Sequence, residues 1–163
     1  MDREVLYRGK RLDNGEWVEG DRVEQNNPEY HDYIITEFAA DVDNRHIDIL
    51  TCDIYEVAPA TVGQYTGLKD RNGKRIFEGD VVRFQFDNDD DPWPHKRTEK
   101  HIGRVFWQDF RSSFAIAMGR NGSKNINNDL WKYVQNGNRV EVIGNIHDNP
   151  ELLKEEPNNG TAD

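Results

Sequence analysis

The chain has 163 residues, with 21 Lys and Arg against 31 Asp and Glu and a formal net charge of −10. That length suits one domain, or one domain with a small appendage, and that charge opposes generic binding to phosphate backbones, which needs clustered Lys and Arg. Apolar residues are only 35%, yet 23 of them are Val or Ile and 17 are Phe, Trp or Tyr, and such side chains bury enough area, at ~1.5–3 kcal/mol each, to argue against disorder.

Helical periodicity is scarce along the chain, and alternation is common. Arg3–Tyr7 reads as a first strand, and Asn14-Gly15 as a tight hairpin turn of the type whose two central residues need positive φ. Trp17, Val18 and Val23 lie on the next strand, which Gly20-Asp21 interrupts like a bulge or kink. Tyr33–Thr36, Ile47–Leu50 and Ile54–Val57 are β-rich, with Asp41–Asn44 as a turn between two of them. From Pro59 the texture changes. Thr61–Leu68 carries two glycines and is too short for a long helix, and Asn72-Gly73 signals a second hairpin before Ile76-Phe77. Glu78-Gly79-Asp80 turns into a clear strand at Val81–Phe86, and Asp87–His95 is an acidic loop with prolines. Strands follow at Ile102–Trp107, Ser113–Met118 and Val140–Ile146, with turns at Asn121-Gly122 and Asn136-Gly137 and one helical turn at Asp129–Val134. Asn149-Pro150-Glu151 has the chemistry of a helix start, and Pro157 stops it before a frayed tail.

The order Asn-Gly, Glu-Gly-Asp, Val occurs twice, at Asn14-Gly15, Glu19-Gly20-Asp21 and Val23, and at Asn72-Gly73, Glu78-Gly79-Asp80 and Val82. Either a hairpin was duplicated or two unrelated hairpins share good turn chemistry.

The run from Thr61 to Asp80, TVGQYTGLKDRNGKRIFEGD, resembles the YopX family of phage and prophage proteins. Flanking matches are Tyr7-Arg8-Gly9-Lys10, Asn14-Gly15-Glu16-Trp17-Val18 and the stretch from Glu141 to Leu153, so the resemblance covers almost the whole chain. It implies a phage-related origin and a mostly β fold, with variable loops around Glu37–Asn44 and Asp87–Lys100. It implies no catalytic residue, cofactor, metal or ligand. The anchors also have a physical reading: Gly63, Gly67, Gly73 and Gly79 stand where turns want positive φ or close backbone approach, and Tyr65 and Leu68 pin the segment to a core.

Each candidate site has a plainer explanation. Gly67 and Gly73-Lys74-Arg75 mimic a phosphate loop, but the spacing is one residue too long and Arg75 replaces the hydroxyl that would meet Mg²⁺, so a hairpin is expected. Asp87, Asp89, Asp90 and Asp91 offer carboxylates, yet a calcium loop needs Gly and Glu where Pro92 and Thr98 stand. His95 and His101 flank Lys96, Arg97 and Lys100 without a third ligand. Cys52, the single cysteine, excludes an internal disulfide; with His46 it would form a thiolate–imidazole pair, but a small buried core thiol is the expectation. Ser112, Ser113 and Ser123 lack a nucleophile-elbow context. Lys69, Arg71, Lys74 and Arg75, with Tyr65 nearby, form a basic hairpin able to touch phosphates or stack a base. Trp93 either anchors a partner or folds back on the protein.

The expected fold is mainly β: residues 1–57 as an N-terminal layer of hairpins, residues 58–148 as a small SH3-like barrel-type unit sharing its core, and residues 149–163 as a short helical turn and acidic tail. No apolar run nears the ~18–20 residues of a membrane span, and Met1–Glu4 does not open an apolar signal segment, so a cytoplasmic protein of a bacterial host cell is expected. The functional expectation is a non-enzymatic accessory module that binds a host or phage protein, with self-assembly as a further option. The alternatives are a nucleic-acid-binding module using Lys69–Arg75, or an enzyme of unrecognised class.

Overall fold

The structure, a computed structural model, describes residues 4–24, 31–43, 46–85, 100–118 and 129–153, and for residues 37–43 and 46–51 the backbone alone. The protein is mainly β, as expected. Among the described residues ten strands run in chain order: β1 (Tyr7–Lys10), β2 (Trp17–Glu24), β3 (Asp32–Asp43), β4 (His46–Val57), β5 (Gly63–Lys69), β6 (Arg75–Phe77), β7 (Asp80–Gln85), β8 (Lys100–Gln108), β9 (Ser113–Met118) and β10 (Glu141–Asn145). One α-helix, α1 (Leu130–Gln135), stands between β9 and β10. The chain divides into two compact units between Gly67 and Leu68.

In the first unit the strand order is β4-β3-β2-β1-β5. The β1–β2 turn is wider than the two-residue turn expected at Asn14-Gly15. Arg11 N donates to Glu16 O at 2.9 Å and Gly15 N to Arg11 O at 3.0 Å, and only Gly15 takes positive φ, at 73°. Gly20 is the point at which β2 leaves one partner and takes another: Tyr7 pairs with Gly20 on β1, and Asp21 pairs with Ile35 on β3. A Cβ at Gly20 would lie 1.9 Å from the Ile35 carbonyl oxygen, so the kink read from Gly20-Asp21 is a close backbone approach that only glycine permits.

The three β-rich stretches of residues 33–57 form two strands of 12 residues each. β3 and β4 pair from Asp32↔Val57 to Asp43↔His46, with register shifts between Ile35 and Glu37 and between Ala39 and Ala40. Most of the variable loop expected at residues 37–44 is therefore strand. The bulges explain the interrupted alternation that hid its continuity. Ile34 and Val57 are fully buried, and a Cβ on Gly9 would meet the Val57 side chain at 2.8 Å.

In the second unit the end of β5 turns back into β6. Asp70 N donates to Lys74 O at 2.8 Å and Gly73 N to Asp70 O at 2.9 Å, with Gly73 at φ 82°; this is the three-residue hairpin whose last position favours glycine. The main sheet is antiparallel, in the order β10-β7-β8-β9. It is open: β10 and β9 are its edges, so the expected barrel does not close among the described residues. Its core joins Val82 and Phe84 of β7, Val105 of β8, Phe114 and Ile116 of β9, Leu130 and Tyr133 of α1, with Ile76 and Val140. Helix α1 has six residues, too few to persist alone. Asp129 caps it, its Oδ1 accepting from Trp131 N at 3.0 Å, and Leu130 and Tyr133 bury its inner side.

The two echoed segments differ in role. Gly20 lies inside strand β2, whereas Gly79 sits at φ 83° in the turn between β6 and β7.

Candidate functional site

The family-like segment is organised around Asp70, which is 3% exposed. Its Oδ1 accepts from Asn72 N at 2.8 Å and Lys74 N at 2.9 Å, and its Oδ2 accepts from Val142 N at 3.0 Å. One carboxylate thus shapes the hairpin and ties it to β10. Tyr65 is buried and Leu68 packs partly on the core of the second unit, in line with the pinning expected of them. Burial of Tyr65 also removes it as a platform on which a base could stack. Lys69, Arg71 and Lys74 are exposed and Arg75 is half-buried. The phosphate-loop look-alike is a β-hairpin, as expected.

The other candidates separate in space. Cys52 is exposed, against the expected core thiol. It lies on β4, paired with Phe38 of β3, and β4 is an edge strand of its sheet. The side chain of His46 lies outside the described residues, and so does any pair with Cys52. His101 packs against Phe84, ring centroids 5.9 Å apart, on a strand. Asp87, Asp89, Asp90, Asp91, Trp93, His95, Lys96, Arg97 and Ser123 lie outside the described residues. Ser112 occupies a left-handed turn at φ 49° and Ser113 begins β9. Among the described residues no group of three or more His, Cys, Asp or Glu is placed to hold a metal ion.

Two surface features stand out in the second unit, and neither was singled out from the sequence. The first is aromatic. Strand β8 ends in a short hairpin to β9, and Phe110 in its 3₁₀ turn is 68% exposed, with Trp107 at the hairpin base 38% exposed. The Trp107 ring meets Phe114 edge-on, with centroids 5.0 Å apart, and the Arg111 guanidinium lies 5.4 Å from the Phe110 ring centroid. An isolated bridge pairs Ala115 with Asp129, so α1 begins one residue along β9 from the Trp107–Phe114 pair. Trp131 on that helix is 60% exposed.

The second feature is basic. Arg71, Arg83, Lys100 and Arg139 line a shallow depression together with Gln85 and Glu141. Arg83 and Gln85 alternate on one side of β7. Glu141 on β10 is the register partner of Arg83, and Lys100 on β8 is the partner of Gln85. Arg71 N donates to Val140 O at 3.0 Å, bringing the hairpin turn alongside. No sequence motif joins residues 71, 83, 100 and 139; strand register places Arg83 and Lys100, and the Arg71–Val140 backbone bond brings the other two segments alongside.

The match of this chain to the YopX protein family model runs over residues 6–154. The chain belongs to the YopX family. Membership covers both units and every strand described above. No curated protein matches it. Among solved structures it is similar to the crystal structure of protein EF1440 from Enterococcus faecalis, with a TM-score of 0.57 and 23% identity over 94% of this chain and 100% of that one. At that identity the likeness shows a shared fold and nothing about activity. The YopX match gives the family, and what the surface does must be argued from its residues.

Proposed function

We propose that this YopX-family protein is a phage-related, non-enzymatic accessory module of the bacterial cytoplasm that binds a host or phage protein. The observation that carries the reading is the large aromatic side chains left exposed on the β8–β9 hairpin and on α1 of the second unit: Phe110 is 68% exposed, Trp131 60% and Trp107 38%. Large aromatic side chains left in water forgo burial worth about 1.5–3 kcal/mol each. Such side chains, together with Arg, dominate the energetic centres of protein interfaces. Phe110 with Arg111, and Trp131 on a helix whose opposite side is locked into the core, are held on framed elements rather than dangling, which lowers the entropic cost of docking. No helix among the described residues is long and apolar enough to cross a membrane.

The test is affinity capture from bacterial host lysate with and without nuclease, using the wild-type chain and a Phe110→Ser, Trp131→Ser double variant. The expected result is a stoichiometric protein that survives nuclease with the wild type and is lost with the variant. Capture that collapses on nuclease treatment, or that is unchanged in the variant, would overturn the assignment.

A further inference from the structure

We propose that the free edge of β4 accepts one extended strand of a partner protein, in which apolar residues alternate with Lys or Arg. The edge lies in the first unit and shares no residue with the exposed aromatics of the second, so the inference stands apart from the reading above.

The backbone is the first observation. β4 pairs with β3 on one side and is the last strand of its sheet. Its other side is taken only at the end. Arg11 bridges Val57, Leu12 N donates to Glu56 O at 3.0 Å, and Ala58 N donates to Lys10 O at 2.8 Å. From His46 to Tyr55 no strand lies on that side among the described residues. Every second residue of such an edge turns its N–H and C=O outward, the template for strand addition. Proteins blunt edges by keeping them short or by placing Lys and Pro on them. β4 has 12 residues and neither Lys nor Pro. Its own bulge is at Leu50, the residue skipped where the register shifts between Ala39 and Ala40, and Thr51–Tyr55 beyond it pairs without interruption on β4.

The two sides of the β3–β4 ribbon are the second. Register partners share a side, and neighbours along a strand alternate. Phe38 and Cys52, Ala40 and Ile49, and Val42 and Ile47 are partners on one side, with no charge among them. That side is open where side chains are described: Cys52 is exposed, and Ile54, two residues on, is 54% exposed. Glu37 and Asp53, and Asp41 and Asp48, are partners on the other side. Like charges directly opposite one another are destabilising. Residues 37–53 hold five carboxylates and one Lys or Arg, Arg45, which lies outside the described residues, and residues 25–30 hold no Lys or Arg. Asp53 is exposed, and its carboxylate makes no ion pair among the described residues. A second copy of β4 would set further Asp residues against these. A strand alternating apolar and basic residues instead extends the apolar side, meets the carboxylates with cations and completes the ladder with its backbone.

The probe is a labelled peptide of about ten residues, the length of the free edge, alternating Lys and Val and read by fluorescence anisotropy with the full chain. One control peptide replaces every Lys by Glu. A second keeps every Lys and replaces every other Val by Pro, which cannot donate to a ladder. The expected result is binding of the Lys–Val peptide at low salt that weakens as salt rises, with both controls weaker by about tenfold or more. In NMR the amides of Cys52, Asp53 and Ile54 shift. Asp48→Lys with Asp53→Lys reverses the preference, so that the Glu peptide binds better than the Lys peptide; a merely structural role for these carboxylates would not. Thermal melts confirm that the variant is folded. Absence of Lys–Val binding at low salt, equal binding of the proline peptide, amide shifts confined to other strands, or a folded variant that keeps the Lys preference overturns the proposal. A dimer in sedimentation whose β4 amides are already protected from exchange assigns the edge to a second copy and likewise overturns it.

Discussion

Asp70 shows how much one side chain can organise. It is buried, yet its two oxygens take three backbone N–H donors, two from its own hairpin and one from Val142. Hydrogen bonds to a charged group contribute about 1.5–3 kcal/mol each, and solvent can replace those near the exposed turn. Asp70→Ala is therefore expected to lower unfolding free energy by about 3 kcal/mol, measured by urea denaturation. A loss below about 0.5 kcal/mol, the size of an ordinary surface change, would show that water replaces all three. At the opposite extreme is Asp13, exposed on the β1–β2 turn. Arg11 Nε donates to its Oδ1 at 2.9 Å, and that hydrogen bond first, then the nearby positive charge, holds the Asp13 carboxyl below the ordinary carboxylate range. A lowered folded-state value means the pair stabilises the fold above the unfolded value of about 3.9, and that its contribution disappears as pH falls through the lowered value. In solvent that contribution is small. An NMR titration should place the Asp13 midpoint below that of a free Asp, and Arg11→Gln should return it upward. An unmoved midpoint would mean the pair does not form in solution.

At the scale of elements, turns and close approaches divide the glycines into two kinds. Gly67 has φ 81° with nothing within 4 Å of an added Cβ, whereas at Gly20 an added Cβ would lie 1.9 Å from a carbonyl oxygen. Gly67→Ala meets only the left-handed backbone penalty of roughly 1–2 kcal/mol. Gly20→Ala must push β2 and β3 apart where β2 exchanges partners, and is expected to cost more than about 3 kcal/mol, beyond ordinary overpacking. Comparing the two variants by thermal melting tests this; equal losses would mean that the strand crossing yields easily. The strands of the second unit were legible because β-branched and aromatic residues recur in them between clear turn signals: residues 81–86, 102–107 and 113–118 each match a strand to within two residues. The expected helical turn at residues 129–134 is also present as α1. β1 was misplaced toward the N-terminus because Val5-Leu6-Tyr7 is apolar, whereas pairing with β2 selects Tyr7–Lys10. β3 and β4 were under-read because two register shifts break the period of two.

On the whole molecule, net charge proved a poor guide to local surface. A chain at −10 still gathers four cations at one depression, since register sorts side chains by face without regard to the sum. The exposed aromatics raise the same issue for hydrophobicity. Phe110 and Trp131 are among the largest apolar side chains, yet both are exposed. Since neither supports the core, the Phe110→Ser, Trp131→Ser protein should melt within about 0.5 kcal/mol of wild type while losing its partner in the capture assay. A large drop in melting temperature would instead assign the pair a structural role. The sequence by itself determined the mainly β class, the hairpin turns, the short helix and the family, because these depend on local backbone preference and on an ordered run of anchors. It also determined that Tyr65 and Leu68 would be held inward. Only the tertiary structure decided that the second sheet stays open, that Cys52 faces solvent on an edge strand, and that Arg71, Arg83, Lys100 and Arg139 meet. Those outcomes depend on which strands neighbour which and in what register, and pairing over long separations leaves no local trace in the order of residues.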